Sequence, residues 1–341
     1  MKEIRNKAKN LMAPYCRVCP VCNGKACSGE VPGMGGLGTG SSFTNNMKAL
    51  AAITFNMHLI HGITEPDTSV SILGKKLSIP VLAAPIGGVS FNMGGAISEN
   101  EYINAIIEGC KTSGIIGCTG DGVPDFIHQA GFKAIHDSGG HGIAFIKPWD
   151  DKELFQKIEA LRETGSDTMG IDIDAAGLIT LKKMGRPVFP RSLVQLTRIV
   201  KKCEMKFILK GVMTPEDAEL AVEAGADAIV VSNHGGRVFD SLPGTAEVLP
   251  DIAGRVKGKI TILVDGGIRS GGDVLKLLAL GADAVMIGRP FSIAAIGGLQ
   301  QGVETYIETI SNELRQAMVL TGTESVTSVH KNILFSKKIN K

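Results

Sequence analysis

Eight times between residues 80 and 288, a short apolar run ends in glycine or a polar residue and gives way to a helical pattern. The runs are PVLAAPIG (80–87), IIGCTG (115–120), GIAFIK (142–147), TMGIDI (168–173), KFILK (206–210), DAIVVS (227–232), ITILVD (260–265) and DAVMIG (283–288). Near-continuous hydrophobicity over four to eight residues suits parallel strands covered on both faces. The intervening segments, such as NEYINAIIEGCKTSG (100–114), PEDAELAVEAGA (215–226) and GGDVLKLLALGA (271–282), have helical spacing, and the last two end in Gly-Ala, a helix stop. Eight such units predict a closed (β/α)8 TIM barrel. A doubly wound open sheet would concentrate its polar and glycine-rich turns at one switch point, whereas here they follow every strand.

The rest of the 341 residues flank this core. Residues 1–75 are an N-terminal extension carrying CRVCPVCNGKAC (16–27) and PGMGGLGTGSS (32–42). The barrel is expected over 76–328, closed by an amphipathic helix at VETYIETISNELRQAMVL (303–320), and 329–341 are a tail. The glycine-rich run reads as a flexible connector, lacking a preceding strand or a following capped helix. A net charge of +2 with mixed signs argues against nucleic acid or an anionic membrane surface as partner. No apolar run resembles a signal peptide or a bilayer span. The expected compartment is therefore the cytoplasm, with the seven cysteines as free thiols or metal ligands.

A barrel presents its active site at the C-terminal ends of its strands. That rule selects Pro85 to Gly88, Cys118 to Asp121, Lys147, Asp172, Lys210, Ser232 to Arg237, Asp265 to Arg269, Gly288 and Arg289. The stretch VVSNHGGRVFD (230–240) places a histidine and an arginine three residues apart, with only glycines between. One reading is an ordinary turn. The other is a base and a carboxylate-binding cation brought to one mouth by a tight Gly235-Gly236 bend. After the seventh and eighth strands, DGGIRSGG and IGRP offer backbone N–H groups, helix N-termini, Arg269 and Arg289 to a phosphate.

Three motifs carry a family resemblance. SNHGGR (232–237), LKGV (209–212) and DGGIRSGGDVLKLLALGADAVMIGRP (265–290) resemble the FMN-dependent α-hydroxyacid oxidases and dehydrogenases. That family includes glycolate oxidase, lactate oxidase and flavocytochrome-type lactate dehydrogenases. SILGKKLSIPVLAAPIGG (71–88) resembles its entry into the first barrel strand. The likeness runs from about residue 65 to 328 and is densest from Phe207 to Pro290. It implies FMN as cofactor and oxidation of a 2-hydroxy acid such as L-lactate to the 2-oxo acid. It assigns His234 as catalytic base, Asp172 as the aspartate orienting it, Arg237 as the substrate-carboxylate ligand, and Lys210 as the cation beside flavin N1. Ser232, Asp265, Gly267, Arg269, Gly288 and Arg289 would contact the cofactor, with Ala84, Pro85 and Cys118 near the ring. Asp174 competes with Asp172, and Asp240 reads as a structural partner of the loop. Family members commonly form tetramers, which sets a homo-oligomer as the expectation.

The family's substrate tyrosine after the third strand falls at Pro148, and its flavin-edge glutamine at Ile146 or Lys147. Tyr15 is the sole candidate for its N-terminal tyrosine, and Arg186 comes late for its second arginine. A different or larger substrate is therefore expected. Cys16, Cys19, Cys22 and Cys27 give C-x2-C-x2-C-x4-C, a set the resemblance does not explain. It suits an iron–sulfur cluster or zinc, against free or redox-active thiols. A cluster would favour a dehydrogenase over an oxygen-using oxidase, the electron acceptor being undetermined. Two competing readings remain: an FMN barrel similar to type 2 isopentenyl diphosphate isomerase, and a flavin- and metal-binding redox sensor or electron-transfer protein.

Overall fold

A computed structural model describes residues 1–336 of the chain. A hairpin of β1 (Val70–Ile72) and β2 (Lys75–Leu77) precedes eight barrel strands. These are β3 (Val81–Ile86), β4 (Ile116–Thr119), β5 (Ile143–Ile146), β6 (Thr168–Asp172), β7 (Lys206–Val212), β8 (Ala228–Val231), β9 (Thr261–Val264) and β10 (Ala284–Ile287). All pairings in the barrel are parallel, and β10 closes on β3, as the eight apolar runs predicted.

The strands are buried on both faces, which is why their sequences do not alternate. Leu82, Ile116, Phe145, Ile208, Leu263 and Met286 fill the interior, and Ile72 and Leu77 of the hairpin join that cluster. Lys206, which opens β7, donates to the carbonyl of Leu73, so the hairpin seals the end opposite the strand C-termini. Outer helices start where the sequence supplies caps. Ser98 and Ser270 form capping boxes with Glu101 and Asp273 before helices Glu99–Thr112 and Gly271–Ala279. Thr214 caps Pro215–Ala224, whose first residue is the proline.

Two expectations need correction. The closing helix runs over Arg289–Thr321 and is broken at Leu299 (φ 49°, ψ −141°), so its first part begins directly at the β10 turn. The glycine-rich run is not a loose connector. It leads into helix Ser41–Ala52 and is pinned to the loop after β8, Leu37 N–H donating to Gly236 O at 2.8 Å. Asp240 accepts from Thr39 N, Thr39 Oγ1 and Ser41 Oγ at 2.6, 2.8 and 2.6 Å. The signal missed was the complement between Asp240 and the hydroxyl pair that brackets Gly40. Helix Lys2–Leu11 lies on the last helix, where the Ile4 carbonyl leaves no room for a side chain at Gly297. The tail expected from 329 lies partly outside the described residues. Among the described residues no helix is long and apolar enough to cross a membrane.

Candidate active site

A cavity of about 450 Å³ opens at the C-terminal ends of the strands, within the size range of small-molecule sites. Ala84 and Pro85 of β3, Lys147 after β5, Lys210 of β7, and His234 and Arg237 after β8 all line it. Asp265 to Arg269 and Gly288 with Arg289 complete the far wall.

His234 opens a short 3-10 turn and holds φ at 55°, an uncommon conformation for a residue with a Cβ. The turn is over-determined from below. Asn233 and Asn46 exchange amide hydrogen bonds at 2.8 and 3.0 Å, and Asn233 Oδ1 also accepts from Gly236 N–H. Ser232 Oγ accepts from His234 N–H at 3.0 Å and donates to Asp265 at 2.8 Å. Gly236, at φ 80°, lies against the Phe43 backbone, where an added Cβ would meet the Phe43 nitrogen at 2.5 Å. The bend allows His234 and Arg237 to face one cavity.

A chain of alternating charges runs below the imidazole. Lys147 Nζ is 2.6 Å from Asp172, and Lys210 Nζ is 3.1 Å from the other oxygen of Asp172. Asp174 accepts from His234 Nδ1 at 3.0 Å, and Lys210 lies 3.3 Å from the same ring nitrogen. The carboxylate bonded to the imidazole is thus Asp174, where Asp172 had been expected. The two lysines claim both oxygens of Asp172 at the end of β6. Asp174 rises on the next turn (Ile173–Gly177), and Gly211 gives it room, since a Cβ there would sit 2.6 Å from Asp174. Burial would raise the Asp172 pKa, but Lys147 and Lys210 outweigh it and hold the carboxyl far below the usual range. Burial lowers and Asp172 raises the Lys210 pKa, leaving it above the ordinary lysine value. Asp172, Asp174 and His234 sit close enough to share a metal ion. Two lysine cations already balance the carboxylates, so the group is not a metal centre.

With Nδ1–H donated to Asp174, Nε2 keeps its lone pair and can accept a proton. Burial lowers the His234 pKa, Asp174 opposes this, and Lys210 reinforces it, with a net shift downward. A base must start neutral, so the lowered value keeps His234 competent through neutral pH. The acid limb of kcat/KM is expected below the free-histidine value of about 6.5. Asp174→Asn removes an influence that raises the pKa, so it should move that limb lower still. A pH–rate series on both proteins checks this, and an upward shift in the variant would contradict the assignment.

Arg269 and Arg289 form the phosphate end. Burial, helped by neighbouring Arg269, pulls the Arg289 pKa down to about 10, so it remains charged at neutral pH. Its guanidinium stacks 3.8 Å from the Phe43 ring centroid and donates to Met34 O and Gly235 O. Arg269 Nε is buried with no hydrogen-bond partner among the described residues, and so is Asp265 Oδ1. The other Arg269 nitrogens are engaged, Nη1 with Ile268 O and Nη2 with Cys22 Sγ, and a guanidinium with one buried N–H left open beside a second guanidinium fits a bound phosphate. The cavity thus suits FMN, with Arg269 and Arg289 at its phosphate and Lys210 at its ring.

Other expected residues are less direct. Cys118 is 1 % exposed within the interior cluster and does not line the cavity, because it points into the barrel below the mouth. Ser232 also lies beneath the lining and acts through His234 and Asp265. Arg237 lines the cavity while its Nη groups donate to Gly33 O and to Asn92 Oδ1. Tyr15 reaches the mouth, but Arg186 pairs with Glu153 and stacks 5.0 Å from Trp149, outside it. Sequence reasoning missed Asn46 and Asn92, which come from segments with no barrel periodicity.

The chain matches the FMN-dependent dehydrogenase family over residues 33–191 and 182–336. It is 30% identical over 323 residues to an L-lactate oxidase of Lactobacillus jensenii, covering 84% of this chain and 76% of that protein. A 122-residue stretch is 55% identical to an L-lactate dehydrogenase of Xanthomonas campestris pv. campestris. That stretch is 36% of this chain, and the match spans about a third (32%) of the length of that relative. Among solved structures, the crystal structure of mandelate oxidase superposes with a TM-score of 0.79 at 26% identity, covering 98% of both chains in one complex. Another mandelate oxidase structure carries a C4a-OH-FMN adduct.

Proposed function

Because the chain belongs to the FMN-dependent dehydrogenase family, we propose that it oxidises a 2-hydroxy acid to the 2-oxo acid with FMN bound at the barrel mouth. The observation that carries this is the convergence of His234, Arg237 and Lys210 on the cavity whose far end holds Arg269 and Arg289. When bound, FMN supplies the acceptor for the two electrons and the α-hydrogen. The chain supplies the rest. Arg237 holds the substrate carboxylate and so aims the α-carbon. His234 Nε2 takes the hydroxyl proton, and Asp174 stabilises the resulting imidazolium. Lys210 offsets negative charge on the reduced cofactor.

The relatives act on lactate and mandelate by name, and the substrate here is proposed to carry an apolar side chain. Phe91, Ile127, Leu178, Leu181 and Met184 line the outer cavity, and Pro148 stands where a substrate tyrosine was expected. A cytoplasmic homo-oligomer belongs to the same proposal. The isomerase and sensor readings are not favoured, because the relatives are lactate and mandelate oxidases and a lactate dehydrogenase by name.

Anaerobic mixing with a panel of 2-hydroxy acids of graded side-chain size tests the function. Bleaching of the flavin bands by at least one acid, fastest with a branched or aromatic side chain, is the expected result. Bleaching by none would remove the proposal, and fastest bleaching by glycolate would remove its substrate assignment.

A further inference from the structure

The four N-terminal cysteines stand outside the chemistry above, and the family match begins at residue 33, after the last of them. We infer that Cys16, Cys19, Cys22 and Cys27 form a site for a cuboidal iron–sulfur cluster, set beside the barrel mouth. This inference goes beyond the proposed oxidation and does not depend on it.

All four are free thiols, partly buried, and line one pocket with Phe43 and Arg289. The pocket is small, about 30 Å³ against about 450 Å³ for the main cavity, so its size alone does not choose between an ion and a cluster. Spacing separates the two metal chemistries. A tetrahedral zinc with Zn–S bonds of about 2.3 Å needs its four sulfurs about 3.8 Å apart. Among the described residues, no three of these sulfurs lie mutually within 4.8 Å. Four cysteines lining one pocket without the close packing that zinc needs suit the corners of a larger inorganic core.

The surroundings match an anionic thiolate-bound core. Arg269 Nη2 donates to Cys22 Sγ at 3.4 Å, and Arg289 lines the same pocket. Val18, at φ 44°, donates its backbone N–H to Cys16 Sγ at 3.4 Å. Arg5 fixes the loop by donating to the Cys19 carbonyl at 2.6 Å. Hydrogen bonds to sulfur and nearby cations stabilise and tune such clusters. Met34 and Arg289 line both this pocket and the larger cavity, so one layer of side chains separates the two.

The test is iron, acid-labile sulfide, zinc and flavin analysis of the full chain isolated without oxygen, with electron paramagnetic resonance after reduction. About four iron and four sulfide per chain are expected, with a paramagnetic signal on reduction. Cys16→Ser and Cys19→Ser should each lose most of the iron and sulfide while flavin content and circular dichroism stay unchanged. Cys203→Ser, on the helix Leu193–Cys203 away from the pocket, should keep both. If the serine variants fail to fold, the wild-type stoichiometry decides alone. Zinc without sulfide overturns the inference. So does a chain with no metal that takes up no cluster from ferrous iron and sulfide. Missing flavin beside an intact cluster would count against the proposed oxidation and leave this site standing.

Discussion

His234→Asn is expected to slow anaerobic flavin reduction by the best 2-hydroxy acid about 10³–10⁴-fold, the range for losing a positioned general base. Asparagine suits this test because His234 sits at φ 55°, where asparagine is among the residues most often found. His234→Ala would confound loss of the base with backbone strain. The amide cannot hold the transferred proton, yet Ser232, Asn233 and Gly236 keep the turn in place. Flavin content should be unchanged, because Arg269 and Arg289 lie after other strands. Arg237 is untouched, so KM should move far less than kcat. Stopped-flow reduction against substrate concentration reads both. A rate within tenfold of wild type, with flavin retained, would remove His234 from the reaction.

The barrel was legible because each unit repeats the same physics. A fully buried parallel strand must be apolar throughout, and its turn must be glycine-rich or polar. Lys210, His234, Arg237, Asp265, Arg269 and Arg289 were legible as strand-end residues, and the structure brings them to one cavity. Cys118 shows the limit of that rule, since a strand-end residue can point into the barrel as readily as into the mouth. The segment before the barrel was less legible. Its glycines have no period, and the loop they cover lies some 200 residues away in sequence. Asp172 and Asp174 could not be ranked by strand alternation, because they are two residues apart and share its parity. What separates them is Lys147 on the neighbouring strand's end, a pairing across β5 and β6 that only the assembled register reveals.

Asp172→Asn therefore carries the second large expected effect, on stability. Asp172 is 1 % exposed, and both Lys147 and Lys210 are buried with it. Removing its charge leaves two buried ammonium groups, Lys210 with Asp174 at 3.8 Å and Lys147 without its ion-pair partner. Breaking a buried ion pair from one side costs about 3–5 kcal/mol. At about 2 °C per kcal/mol for a large chain, the melting temperature should fall by about 6–10 °C. Lys147→Met should cost less, since Asp172 keeps Lys210 and a flexible apolar chain replaces the lysine stem. The double variant should be more stable than Asp172→Asn alone, because one stranded cation is gone, and the excess measures the coupling. The pH dependence has a definite sign. The folded pKa of Asp172 lies below its unfolded value, so its contribution is complete above about pH 4 and is lost as pH falls towards the lowered pKa. The gap between wild type and Asp172→Asn should accordingly hold from neutral pH down to about pH 5 and narrow in stronger acid. Thermal unfolding of the three variants and wild type at two pH values reads all of this. Equal stability of Asp172→Asn and Lys147→Met would mean that the lysines do not depend on this carboxylate. Asp174 would then be the residue that balances the buried charge as well as the one that meets the base.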